Sequence, residues 1–152
     1  MGSGFGMTVL IHSNKSLEEL NVRTCNVGSD GACHLARELC VNTSLRKLDL
    51  SRNPIGTEGV MALAEVIRNN KSLEEEIIDF DDEGAYRLAG ALCENTALRK
   101  LDLSYSPSRY ERATAEVKAK LLEAQRVNST LQILALPGEM FSFYKVRERI
   151  TM

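Results

Sequence analysis

Apolar residues return along this chain in a fixed rhythm. Leu45, Leu48 and Leu50 alternate with polar Lys47, Asp49 and Ser51, which predicts a strand with one buried face. Further on, Val60, Leu63, Ala64 and Ile67 recur at helical spacing, so the period changes halfway through the unit. The same succession appears earlier as Leu17, Leu20 and Val22, then Leu35, Ala36 and Leu39.

One phrase is written twice. NTSLRKLDLS at residues 42–51 returns as NTALRKLDLS at 95–104, with Ser44 replaced by Ala97. Aligned on the first leucine, units start at Leu17, Leu45, Leu73, Leu98 and Leu131, separated by 28, 28, 25 and 33 residues. Each unit predicts a strand, a loop and a helix that form one coil. A single coil cannot bury both sides of its own layer, so it must stack on the next.

Three units depart from the pattern. In the third, Glu76 stands where Leu48 and Leu101 stand, and the following loop is three residues short. A buried carboxylate finds partners or takes up a proton, so a distorted strand is expected, with a bulge turning Ile77 or Ile78 inward. The fourth unit is longer and places Tyr110, Ala113, Val117, Leu121 and Ala124 on one helical face. Its helix of about 15 residues starts either with Ser108 and Glu111 as a capping box or with Ser106 capping and Pro107 at the first position. The fifth unit keeps Leu131, Leu134 and Leu136 and stops at Pro137–Gly138. Residues 139–152, with Met140, Phe141, Phe143, Tyr144 and Val146, are expected to cover the last coil as a cap. Before the first unit, residues 1–13 match the closing half of a repeat, with Met7 and Ile11 in register with Leu63 and Ile67. The chain therefore reads as one array over 1–138 that starts inside a repeat, as the C-terminal part of a longer array would.

The spacing L-x-x-L-x-L-x-x-N-x-I, carried by Leu45, Leu48, Leu50, Asn53 and Ile55, resembles the leucine-rich repeats of the ribonuclease-inhibitor type. Such repeats also occur in RanGAP proteins and in nucleotide-binding, leucine-rich-repeat immune receptors. The resemblance covers residues 7 to about 138. It implies an α/β right-handed solenoid, with parallel strands on the concave face and helices on the convex face. It also implies that Asn53 turns inward to satisfy backbone groups of neighbouring turns, with Cys25 and Ser106 at the same place in other units. Ser106 is shorter, so a weaker ladder is expected there. The function implied is a non-enzymatic protein-binding module of immune-receptor type, used for ligand sensing or autoinhibition. The alternative is a regulator of a small GTPase resembling RanGAP.

Composition narrows the rest. A net charge of −2 lacks the basic excess of a nucleic-acid surface, and no apolar run approaches the roughly 20 residues of a membrane span. The four cysteines form no CxxC pair, so a reducing, cytoplasmic setting is the default. Seven carboxylates between Glu74 and Glu83 lack the turn and distal glutamate of a calcium loop. Cys33, His34 and Cys40 suggest zinc, but Cys33 is in register with Met61 at a helix-packing position, so a structural role is expected. Sequons at Asn14, Asn42, Asn70 and Asn128 fall at one place in each coil, the polar turn from helix to strand, and need no secretion. Neither His12 nor His34 has a nucleophile or carboxylate partner in register, so no catalytic group, cofactor or small-molecule substrate is expected.

A protein partner is expected on the outward strand face, where successive coils lie about 4.8 Å apart. Two rows alternate in charge: Glu19, Lys47, Glu75 and Lys100 ahead of Ile133, and Glu18, Arg46, Glu74 and Arg99 ahead of Gln132. These rows are expected to neutralise themselves, the alternative being a charged strip that meets a complementary partner, so Glu19, Lys47, Glu75 and Lys100 stay among the candidate contact residues. The next rows, Asn21, Asp49, Ile77 and Asp102, then Arg23, Ser51, Asp79 and Ser104, are less self-satisfied and make the better candidates for contact.

Overall fold

The computed structural model describes residues 11–80, 82–104, 115–136 and 143–145, with backbone alone at Asp82 and over 143–145. Its elements run β1 (Glu19–Asn21), α1 (Ser29–Val41), β2 (Lys47–Asp49), α2 (Gly56–Asn69), β3 (Glu75–Ile77) and α3 (Asp82–Glu94). They continue through β4 (Lys100–Asp102), α4 (Ala115–Val127), β5 (Ile133–Ala135) and β6 (Phe143–Lys145). The capping groups expected at Ser106, Pro107, Ser108 and Glu111, the face residues Tyr110 and Ala113, and Met140, Phe141 and Val146 lie outside the described residues.

The strands form one sheet in chain order, parallel from β1 to β5, with β6 antiparallel on β5. Leu20, Leu48, Glu76, Leu101 and Leu134 stand side by side across five strands, as the repeat alignment requires. Helices α1 to α4 pack in sequence along the other layer. Each offers the same stripe to the sheet: Leu35, Ala36 and Leu39, then Leu63, Ala64 and Ile67, then Leu88, Ala89 and Leu92, then Leu121 and Ala124. Leu48, Leu50, Leu101 and Leu103 are all within 1% of full burial. Each such leucine stabilises the stack by about 1.5–3 kcal/mol relative to exposure.

Turns close each coil by side-chain chemistry. At strand exits Thr24 and Arg52, one coil apart, both take the left-handed conformation, with φ of 56°. Asn53 turns inward as expected. Its Oδ1 accepts the Cys25 and Val27 N–H groups, and its Nδ2 donates to the carbonyls of Val22, Leu50 and Ser51.

A second asparagine series closes the other turn. Asn14, Asn42, Asn70, Asn95 and Asn128 each accept the N–H groups two and three residues ahead. Asn70 and Asn128 also donate to two carbonyls of the preceding coil, and Asn95 to one. The sequons at Asn70 and Asn128 are thus buried joints of the stack.

The expected distortion at Glu76 is absent. β3 keeps residue-for-residue pairing with both neighbours, and Ile78 enters the core beside Leu50 and Leu103 without a bulge. Pairing continues past the strand, with Leu50 N–H donating to Ile77 C=O at 2.8 Å and Ile78 N–H to Asp102 C=O at 3.2 Å. A bulge would break such bonds on two sides to free one carboxyl. The strand stays regular, and Glu76 goes into the core with 0% exposure.

Candidate functional site

The outward strand face divides into rows with different jobs. In the outermost, Arg46 lies 3.8 Å from Glu18 and 3.0 Å from Glu74. Lys47 lies 3.3 Å from Glu19 and 3.9 Å from Glu75. Each cation thus bridges the coils on both sides, and over the first three coils these rows neutralise themselves. The Glu19 hydrogen bond, with the charges of Glu75 and Glu19 behind it, raises the Lys47 pKa.

The next row corrects an expectation. Asn21, Asp49 and Asp102 are not idle contact groups. Each uses its Oδ1 to accept the N–H two residues ahead, from Arg23, Ser51 and Ser104, at 3.0–3.1 Å. The Ser51 and Ser104 hydroxyls donate to the same oxygens, at 2.6 and 2.5 Å. These are Asx turns, which steer the chain off the strand. Asp102 is buried in the process, while Asn21 stays exposed and Asp49 half-buried. The third coil has Ile77 at this place and no such turn. Its apolar side chain stands half-buried between Asp49 and Asp102.

In the last row the chain is already leaving the sheet. Ser51 is wholly buried and Asp79 nearly so, so neither offers contact surface, contrary to expectation; Arg23 is half-buried and Ser104 exposed. Asp79 Oδ2 accepts the Arg52 N–H at 2.9 Å, while its Oδ1 is buried without a partner. Burial pushes the Asp79 carboxyl up, against the lowering effect of that Arg52 hydrogen bond.

What remains accessible is a shallow groove across β1, β2 and β3, lined by Glu19, Leu20, Asn21, Lys47, Leu48, Asp49, Glu75 and Ile77. Lys100 and Ile133 prolong this face, half-buried, with exposed Arg99 and Gln132 beside them. The groove combines an apolar centre with a charged, mutually paired margin.

A second hollow lies at the helix-to-strand turns of the first coils, among Ile11, His12, Asn14, Lys15, Glu38 and Val41–Ser44. His12 does have a carboxylate partner here: its Nδ1 is 2.7 Å from Glu38 Oε2. The two residues lie 26 positions apart and meet only because the coils stack. Cys33 is half-buried where α1 meets α2, its Sγ 3.8 Å from the Glu58 carbonyl, and His34 is exposed. Among the described residues, no three His, Cys, Asp or Glu side chains come together as a metal would need, and no helix is long and apolar enough to cross a membrane. The four cysteines are free thiols.

Comparison with known proteins agrees with this architecture. The family model described as Leucine Rich repeat matches residues 13–36 and 41–64. Mouse ribonuclease inhibitor is 31% identical over 99 residues, covering 62% of this chain and 22% of that protein. Human NACHT, LRR and PYD domains-containing protein 13 is 36% identical over 98 residues, covering 62% of this chain and 9% of that protein. The chain thus spans less than a quarter of the length of either relative. Among solved structures, the leiomodin-1 actin-binding site 2 superposes with a TM-score of 0.78 at 16% identity, over 92% of this chain and 82% of that one. At that identity the likeness is one of fold.

Proposed function

Since the chain is built of leucine-rich repeats of the ribonuclease-inhibitor type, we propose that it is a non-enzymatic module that binds another protein through its outward strand face. The observation that carries this reading is the groove over β1–β3, where Ile77 offers apolar surface inside a margin of paired charges. Interfaces of stable complexes have this anatomy, an apolar centre and a polar rim. The relatives named for NACHT and PYD domains support placing the module in an array of immune-receptor type, used for ligand sensing or autoinhibition. Exposed free thiols at Cys25, Cys40 and Cys93 accord with a cytoplasmic setting. Residues 139–152 are read as a cap, which the pairing of β6 with β5 supports.

A photo-crosslinking residue placed at Ile77, with a second at Arg37 on the helix side as control, tests the assignment. Partner adducts formed from position 77 and not from 37, with affinity for the purified partner lost in Ile77→Lys, are the expected result. Adducts from the helix side alone would overturn it. Accelerated GTP hydrolysis by a small GTPase would instead favour the regulator reading.

A further inference from the structure

The Glu76 backbone pairs in the sheet, but its side chain takes no part in the hydrogen bonding of the fold or in the outward face. It is wholly buried, and neither carboxyl oxygen has a partner. Leucines flank it, Leu48 on β2 and Leu101 on β4. The charged neighbours on these strands, Lys47, Asp49, Glu75, Lys100 and Asp102, occupy alternate positions and so point to the opposite face. On the helices beneath, Glu58 and Glu65 of α2 and Glu83, Tyr86, Arg87, Cys93 and Glu94 of α3 are exposed. Half-buried Arg68 is engaged by Glu65 and Glu94. Asp79 is held at the strand exit by the Arg52 N–H. Among the described residues, nothing therefore compensates a charge at Glu76, and the core accommodates the acid only with its proton. Burial alone pushes its pKa up to about 8.

The position in the array makes this matter. In a solenoid each coil is held only by its two neighbours, so a coil that opens in the middle uncouples both sides. The third coil also has the shortened exit loop and lacks the Asx turn that Asn21, Asp49 and Asp102 provide elsewhere.

We propose that Glu76 makes the third coil a proton-controlled break in the stack. With its proton, β3 bridges β2 and β4 and the sheet is continuous. Without it, β3 leaves the core and the array parts into two blocks, coils one and two against coils four and five. Glu75 and Ile77 leave with β3, so a ligand on the groove would be released; this last consequence alone rests on the binding role proposed above.

Hydrogen exchange on the full chain without ligand, corrected for the intrinsic pH dependence of amide exchange, tests the break separately from any binding. Between pH 6 and 8 the opening of the β3 segment is expected to rise by up to about tenfold per pH unit, while β1 and β5 keep their protection. Glu76→Leu, which installs the residue that coils two and four carry at this place, should abolish the rise, and Glu76→Gln should flatten it. Asp79→Asn should leave most of it in place. An unchanged pH profile in Glu76→Leu, or loss of protection at β1 and β5 in step with β3, would overturn the proposal.

Discussion

Asn70 donates its side-chain nitrogen to the Leu39 carbonyl, 2.7 Å away and in the preceding coil, while its oxygen accepts the Ser72 and Leu73 N–H groups of its own turn. One short side chain thus closes a turn and ties two coils together. The leucines supply most of the burial, but they are non-directional. The asparagines fix the height at which each coil sits on the last.

Asn70→Ala should therefore cost roughly 2–4 kcal/mol, because it strands several buried backbone groups at once. Asn14→Ala, at a half-exposed turn whose bonds among the described residues are all local, should cost about 1 kcal/mol or less. Urea denaturation of both variants checks the ratio, and equal losses would mean that the inter-coil bonds contribute nothing.

Stability of the wild-type chain should fall as pH rises from about 4.5 towards 8. Below its ordinary pKa of 4.5, Glu76 holds a proton in both folded and unfolded chains, and no penalty arises. Above it, the unfolded chain releases the proton while the folded chain keeps its own up to about pH 8, which favours unfolding. Asp79, also raised by burial, acts in the same direction. Glu76→Leu should add roughly 3–5 kcal/mol at pH 8 and clearly less at pH 4.5. Denaturant midpoints over this range provide the measurement, and a gain independent of pH would contradict the account.

Two helix glycines should respond oppositely to alanine. A Cβ on Gly59 would lie 3.0 Å from the Ala32 Cβ and 3.1 Å from the Ile55 Cβ, where α2 meets α1. Gly59→Ala should cost about 1–3 kcal/mol despite the better helix propensity. Gly90 is exposed, with its nearest neighbour at 3.8 Å on the flexible Arg68 side chain. Gly90→Ala should stabilise α3 by about 0.5–1 kcal/mol. Thermal melts of the pair decide the matter.

Lys47→Ala should leave the melting temperature nearly unchanged, since both of its ion pairs are solvent-exposed and screened. Its effect should appear instead in association with a strand-face partner, as a slower on-rate with altered salt dependence. Kinetic binding measurements at two ionic strengths would show this. A large loss of stability without any change in binding would assign Lys47 to the fold alone.

The stacking was legible in the sequence because the constraint behind it is periodic. Leu48, Glu76 and Leu101 were placed side by side by counting, and they pair side by side. The strand around Glu76 was misread because a buried carboxylate suggested local distortion, whereas bonds to two neighbouring strands hold its backbone straight. The second asparagine series could have been found from spacing alone, since Asn14, Asn42, Asn70, Asn95 and Asn128 repeat the steps of the leucines. Reading four sequons left out Asn95, which makes the same turn. The burial of Ser51 and Asp79 was not legible, because strand alternation stops applying where the chain turns away; Asp102 keeps the alternation of β4 and is buried in its turn with Ser104. His12 and Glu38 meet through the offset between coils, which residue register does not encode.

β6 runs against the grain of the other five strands. By occupying the outer rim of β5 in reverse, it fills the berth that a further parallel repeat would need. Anyone grafting extra coils beyond β5 must therefore first remove the reversed strand. Among the described strands, growth past β5 is closed while β6 stays in place.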